Sequence, residues 1–233
     1  MKMKMFSRQS VVSDEWSSEG AVLADAHLSK VQGSAAEGGL FWRAKRGVDV
    51  VASLGGVLPL CAIALALSVL NPFFNPGPLI YRQPRMGRGG APFTIWKFRT
   101  MRCAPSRARG ALDDVERDRV TRLGAWLRRT RIDETPQLIN ILSGDMSLIG
   151  PRPDYLPHAE HFCETVPGYR LRHVVRPGIS GLAQVTLGYA AGHEAFALKA
   201  RADLEYIRSA GWRLEAWIWW RTIVTVVTGA GAR

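Results

Sequence analysis

Hydrophobicity in this chain is concentrated in one uninterrupted block. No charged residue occurs from Val50 to Tyr81, and Val50–Leu70 reads VVASLGGVLPLCAIALALSVL. As a straight helix this stretch would be ~31 Å long, enough to cross the hydrocarbon core of a bilayer. Two features argue against a simple span. Pro59 sits near the middle, where it removes a backbone hydrogen bond and kinks a helix, and Gly55-Gly56 weakens the same turn. Both flanks are also basic, with Arg43, Lys45 and Arg46 before the block and Arg82, Arg85 and Arg88 after it. Positive charge marks the cytoplasmic side of a membrane segment. A helix–break–helix that enters one leaflet and returns satisfies both flanks, whereas a straight span violates one. The expectation is a re-entrant segment broken at Pro59, with Ser53 or protein beneath it satisfying the freed backbone groups.

The pattern then changes. Asn71-Pro-Phe-Phe-Asn-Pro-Gly-Pro78 is a turn cluster that stops the helix. LIYRQ and PFTIWKFRTM, separated by the Gly87–Gly90 stretch, predict a β-hairpin. In an extended 93–101, Lys97 and Arg99 share one face while Trp96 and Phe98 take the other. Residues 102–121 are charged and read as loop or surface helix. Helical spacing returns at Leu123, Trp126 and Leu127, and again at Leu138, Ile141 and Leu142 before Gly144. WRLEAWIWWRTIVTVV holds four of the eight tryptophans and predicts a helix lying in the head-group zone, with a core helix as the competing reading. Residues 1–39 mix Ser, Gly, Glu and Ala without an apolar period and predict a disordered tail. The organisation expected is that tail, a membrane segment and turn over 40–81, and a catalytic domain over 82–233. The fold class expected is α+β, mainly helical, with a re-entrant segment, a short hairpin and interfacial amphipathic helices.

Charge sharpens this picture. The formal net charge is +11 over 233 residues, and the tail contributes none of the excess. Such a balance favours nucleic acid, anionic lipid or a phosphorylated ligand. No nucleic-acid-binding motif accompanies it, and a charge-free apolar block is foreign to that class. Cys61, Cys103 and Cys163 are too sparse for a disulfide framework or a metal knuckle and fit a reducing compartment. His158 and His161, at i and i+3, have no third ligand in sequence reach and read as surface-helix residues. The Gly87-Arg-Gly-Gly90 turn lacks the Lys-Ser/Thr of a phosphate-binding loop.

Candidate chemistry centres on Arg131-Ile-Asp-Glu-Thr-Pro136. Pro136 favours a helix start, which sets Asp133 and Glu134 at its positive end. Helix capping is the bland reading. The helix field and Arg128, Arg129 and Arg131 are expected to keep these carboxylates ionised. An ionised Asp beside an anion site is a nucleophile toward phosphorus. Consecutive side chains diverge, so two roles are natural: Asp133 as nucleophile and Glu134 as ligand to Mg²⁺, which takes one or two carboxylates plus phosphate oxygens. Lys97, Arg99, Arg128, Arg152 and Arg176 are the candidates to neutralise a diphosphate, Arg152 being clamped between two prolines.

These blocks resemble the bacterial sugar transferases, the monotopic phosphoglycosyl transferases of polysaccharide and glycoprotein assembly, from about Lys45 to Val227. The likeness rests on Lys45-Arg46-x-x-Asp49, Gly77-Pro78 with Arg82-Gln83, Pro92-Phe-x-x-x-Lys-Phe-Arg-Thr-Met101 and Leu127-Arg-Arg-Thr-Arg-Ile-Asp-Glu134. It continues through Pro136-Gln-Leu, Gly144-Asp-Met-Ser-Leu-Ile-Gly-Pro-Arg-Pro153 and Arg176-Pro-Gly-Ile-Ser-Gly-Leu-Ala-Gln184. The resemblance implies a UDP-sugar donor and a polyprenyl phosphate acceptor. It further implies attack by Asp133 on the sugar-bearing phosphate, a Mg²⁺ ligand at Glu134, and phosphate contacts at Lys97, Arg128 and Arg152. It also implies a re-entrant helix, a place on the cytoplasmic face of the bacterial inner membrane, and other glycan-assembly enzymes as partners. Two departures stand out: Leu58 replaces the serine often found before the helix-breaking proline, and the stretch after Gln184 lacks the usual Asn-Gly-Arg. The competing function is a basic membrane-surface adaptor without catalysis, which has no need of Asp133-Glu134 or Pro-Arg-Pro.

Overall fold

The computed structural model describes residues 39–103, 116–187 and 193–228. The tail expected before Leu40 and most of the charged 102–121 stretch lie outside these residues. The described elements are mostly helical, with two two-stranded sheets.

Helix α1 (Leu40–Phe74) carries the apolar block and runs on through Pro59 and Pro72. At 1.5 Å per residue it is roughly 52 Å long. Its buried positions, Lys45, Asp49, Ser53, Leu60, Leu67 and Asn71, recur at spacings of four and seven and so form one stripe. The stripe is held along its whole length by the same body of protein. Near its start, Lys45 Nζ donates to Glu215 Oε2 at 2.7 Å, and Asp49 accepts from Ser147 Oγ at 2.7 Å and Leu148 N at 3.1 Å. In the middle, a Cβ on Gly56 would lie 2.6 Å from Leu138, so the glycine permits close approach to the helix below. Leu60 and Leu67 pack with Phe98 and Leu127. At the end, Asn71 Nδ2 donates to Gly77 O and Asn75 Nδ2 to Arg99 O, at 2.7 and 2.8 Å. The opposite face leaves Leu54, Leu58, Leu65, Val69 and Phe73 exposed. Ser53 Oγ is buried with no hydrogen-bond partner among the described residues, so it does not cap the turn weakened by Pro59.

Strands β1 (Ile80–Met86) and β2 (Pro92–Phe98) form the expected antiparallel hairpin, in register from Ile80↔Phe98 to Met86↔Pro92. Its turn bends through Gly89 and Gly90, whose φ angles of 66° and 79° suit residues without a Cβ. Helix α2 (Arg122–Thr130) begins on a Thr121 cap, whose hydroxyl accepts from Gly124 N at 3.0 Å. It ends at Arg131, the one described non-glycine residue with positive φ. A 3₁₀ turn over Ile132–Glu134 follows, then helix α3 (Gln137–Ser143), which starts on Pro136 as foreseen and stops at Gly144. Asn140 ties α3 to the hairpin, accepting from Trp96 N at 3.1 Å and donating to Thr94 O at 2.8 Å.

Strands β3 (Ser147–Ile149) and β4 (Gly178–Ser180) pair in parallel. Between them lie helix α4 (Leu156–Thr165), which carries His158 and His161, and a 3₁₀ segment at Tyr169–His173. Helices α5 (Leu182–Leu187), α6 (His193–Ser209) and α7 (Trp212–Thr228) complete the chain. Ile149, Leu182, Tyr206, Leu214 and Ile218 form the core beneath them. The tryptophan-rich helix is two-faced. Leu214, Glu215 and Ile218 are buried, while Trp212, Trp219, Trp220 and Val227 are exposed. All three cysteines are free, and Cys61 is exposed on α1.

Candidate active site

Asp133 and Glu134 sit on the 3₁₀ turn between α2 and α3, both buried. Arg131, left-handed, joins α2 to this turn, which packs against β2. Glu134 takes the cations. Lys97 Nζ donates to its Oε1 at 2.6 Å, and Arg152 donates to both carboxylate oxygens, at 3.2 Å to Oε2. Burial alone would raise the Glu134 pKa, but Arg152 and Lys97 outweigh it and hold the carboxyl well below the usual range. Arg152 also donates to Ile179 O at 3.0 Å, which anchors it to β4.

Asp133 differs. Its Oδ1 is buried with no hydrogen-bond partner among the described residues. Burial, then repulsion from Glu134, pushes its pKa up to about 6 despite opposing fields from Lys97, Arg152 and Arg128. The expectation that neighbouring arginines hold Asp133 low is therefore corrected. The nearest cations pair with Glu134, and Arg129 projects into solvent. Near pH 7 Asp133 is still mostly ionised, and it retains more basicity than an ordinary aspartate.

The remaining sequence candidates divide. Arg128 stands beside the pair and donates from Nε to Thr100 Oγ1 at 2.9 Å. Arg99 does not join it. Its guanidinium holds the turn after α1, donating to Asn75 O and Pro78 O at 2.5 and 2.6 Å, because strand β2 ends at Phe98 and the chain turns away. Arg176 also lies elsewhere, donating to Gly144 O at 2.9 Å at the far end of α3. There it borders a cleft of about 440 Å³ under the hairpin turn. Pro59, where a break was expected, lies inside α1, which continues as one helix from Leu40 to Phe74, so no interruption of the helix is seen there.

Sequence reasoning passed over two groups. Arg85, one of the basic residues flanking the apolar block, is half-buried beside Arg152. It donates to Pro153 O at 3.1 Å and Gln83 Oε1 at 2.6 Å, and burial and then Arg152 lower its pKa. Gln137, one turn after Asp133, is fully buried, with neither polar atom partnered among the described residues. The signal for Arg85 was its place on β1, two strand positions from Gln83. Gln137 stands in the Pro136-Gln-Leu block that carries the family likeness, but nothing in that block gives it a role of its own.

No cluster of three or more His, Cys, Asp or Glu side chains suited to a metal occurs among the described residues. On α4, His158 is half-buried with its ring 4.9 Å from that of Tyr155, and His161 is exposed. Glu134 Oε1 is taken by Lys97 and Arg152, so Asp133 Oδ1 and Glu134 Oε2, which also accepts from Arg152, are the oxygens that would be left to a hard cation drawing most of its ligands from phosphate and water, as Mg²⁺ does.

A description of bacterial sugar transferases matches residues 40–229, nearly the whole described chain. The chain belongs to the bacterial sugar transferase family. Among its relatives is the UDP-N-acetylgalactosamine-undecaprenyl-phosphate N-acetylgalactosaminephosphotransferase of Aeromonas hydrophila, 44% identical over 190 residues. That match covers 81% of this chain and 45% of the relative. The UDP-glucose:undecaprenyl-phosphate glucose-1-phosphate transferase of Caulobacter vibrioides is 42% identical over 195 residues, covering 78% of this chain and 67% of that protein. A protein of the same description from Escherichia coli is 43% identical over 151 residues, 64% of this chain and 32% of its own. The chain thus spans less than half of the Aeromonas protein and about two thirds of the Caulobacter one.

Proposed function

We propose that this protein transfers a sugar 1-phosphate from a UDP-sugar to polyprenyl phosphate at the cytoplasmic face of the bacterial inner membrane. The observation that carries the reading is Asp133 Oδ1, buried and unpartnered beside a carboxylate whose charge Lys97 and Arg152 already neutralise. Four cations, Lys97, Arg85, Arg128 and Arg152, surround two carboxylates, leaving an excess of positive charge suited to a diphosphate. Relatives over most of this chain carry names that specify a UDP-sugar and undecaprenyl phosphate.

In the first step Asp133 attacks the sugar-bearing phosphorus. A P–O bond forms, the bond to the UMP oxygen breaks, and UMP leaves with the electron pair. Lys97, Arg85 and Arg152 hold the phosphate oxygens as charge moves onto the leaving group. In the second step an oxygen of polyprenyl phosphate attacks the same phosphorus and frees the Asp133 carboxylate. Mg²⁺, held at Glu134, would supply further neutralisation of the diphosphate.

The membrane reading rests on α1. A helix held at both ends and in the middle by one body of protein presents its opposite apolar face outward as a whole. Lipid is the solvent that covers such a face, with Trp219 and Trp220 of α7 at head-group level. A segment that enters and leaves on one side keeps both basic flanks cytoplasmic. Products of this kind feed glycan assembly, so enzymes acting on polyprenyl diphosphate sugars are natural partners.

The test is UMP release across a panel of UDP-sugars, with polyprenyl phosphate and Mg²⁺, alongside intact-protein mass spectrometry with donor alone. A phosphosugar adduct that hydroxylamine removes, and that Asp133→Asn abolishes, is the result expected. Turnover without an adduct would overturn the covalent route. UMP release that survives Asp133→Asn would show that Asp133 is not the nucleophile, whereas no UMP release from any donor would favour the adaptor reading.

A further inference from the structure

Arg152 is the only described side chain that contacts both oxygens of Glu134, yet it stands on an irregular segment rather than on a strand or helix. Its four carbonyls are held by three other elements, β4, the Tyr169–His173 turn and β1. Pro151 O accepts from Gly178 N at 2.9 Å, Arg152 O from Arg172 Nη2 at 2.7 Å, Pro153 O from Arg85 Nη1 at 3.1 Å, and Asp154 O from Met86 N at 3.2 Å. The Asp154 carboxylate closes the arrangement. It accepts from Tyr169 Oη at 2.5 Å and pairs with Arg172 and Lys199. Arg172 in turn donates to Asp203 at 2.9 Å, with both side chains almost fully buried. The charges of α6 and of the Tyr169–His173 turn thereby converge on the residue two positions after Arg152.

This network has no part in contacting Glu134 or Asp133. Burying so many charges is costly, and a well-packed apolar cluster would stabilise the fold as well or better. Its distinct effect is geometric. Ion pairs set direction and register where apolar packing does not, and a phosphate-binding arginine displaced by 1 Å loses much of its effect. Cations outweigh the burial cost at Asp154 and hold its carboxyl well below the usual range, so the anchor keeps its charge through the working pH range.

We propose, given the phosphosugar-transfer reading above, that Asp154 is a positioning residue for Arg152: its ion pairs with Arg172 and Lys199 fix the Pro151–Pro153 segment and so aim the Arg152 guanidinium at the donor phosphate. Sequence alone shows only an acidic residue after Pro-Arg-Pro.

A double-mutant cycle tests this. Asp154→Asn keeps shape and hydrogen-bond acceptance but removes the charge, and Arg172 retains Asp203. Expected is a loss in kcat/KM of about tenfold, expressed mainly in donor KM, in the otherwise unaltered protein. In an Arg152→Ala background the same change should cost less than about twofold, because nothing is left to aim. Equal losses in both backgrounds would overturn the proposal and make Asp154 a general stabilising group. Hydrogen exchange of the 147–156 peptide supplies a readout that needs no turnover. Asp154→Asn should speed exchange there and leave the β1–β2 hairpin unchanged, whereas unchanged exchange at 147–156 would also overturn the proposal. If the unaltered protein releases no UMP from any UDP-sugar, the activity reading fails, and exchange alone decides whether Asp154 anchors the segment. Lys199→Gln, which removes the more accessible partner, gives the same test should Asp154→Asn fail to fold.

Discussion

Lys97 Nζ donates to Glu134 Oε1 at 2.6 Å, joining the end of the hairpin to the turn before α3. That bond, with the one from Arg152, decides which of two adjacent carboxylates is neutralised. Glu134 becomes part of an ion-paired wall. Asp133 keeps an oxygen with no hydrogen-bond partner among the described residues, and a raised proton affinity. Two neighbouring acids of similar intrinsic pKa thus separate into a permanent anion and a group that titrates near neutrality.

Because the Asp133 pKa lies at about 6, the group needed for attack is ionised above that pH and protonated below it. The kcat/KM profile should rise with pH through about 6 and level off, with about a tenth of the plateau left at pH 5. Arg128 lowers the Asp133 pKa, so Arg128→Gln should move the acid limb to higher pH. A limb that stays below pH 5 in both proteins would contradict this assignment.

Glu134→Gln leaves Lys97 and Arg152 facing a neutral amide. Removing one partner of a largely buried pair costs about 3 kcal/mol, so the melting temperature should fall by several degrees. The Mg²⁺ concentration for half-maximal rate should also rise at least about tenfold, since one hard anionic ligand is lost. Titration of activity against Mg²⁺, together with thermal unfolding in the same detergent, separates the two effects.

Arg152→Ala and Arg99→Ala should diverge. The first should raise donor KM by about tenfold or more, because its guanidinium stands at the paired carboxylates. The second removes bonds to Asn75 O and Pro78 O and should lower thermal stability while leaving donor KM within about twofold. Steady-state kinetics with matched unfolding curves checks both.

Gly124→Ala should be poorly tolerated. A Cβ there would lie 1.9 Å from Thr100 O and 2.8 Å from Thr100 Cα, and backbone cannot step aside as a side chain can. Overpacking of this kind costs about 3 kcal/mol. It also pushes Thr100 away from Arg128 Nε, so activity should fall further than a remote substitution of equal stability cost.

Single-cysteine proteins with labels at Arg43→Cys and Arg82→Cys should react with an impermeant maleimide from the same side of the membrane. Both positions are exposed and flank the apolar block. Labelling from opposite sides would establish a straight span.

Much of this protein was legible in order along the chain. The charge-free block, the hairpin, the helix start at Pro136 and the two-faced tryptophan helix all follow from local periodicity, turn chemistry and backbone preference, which act over a few residues. Asp133-Glu134 stood out because two acidic residues at a helix start, just after Arg128, Arg129 and Arg131, are a local juxtaposition. What each carboxylate does was decided only by tertiary structure. Lys97 and Arg152 come from 37 and 18 positions away and both pair with Glu134, while burial and then the neighbouring Glu134 raise the Asp133 pKa where sequence proximity to arginines pointed down. The same holds for Arg99, which strand length alone would have turned toward the site, and for Arg85 and Asp154, whose partners lie on segments far along the chain. Electrostatic fields fall off with distance in space and with solvent screening, neither of which is encoded in spacing along the sequence.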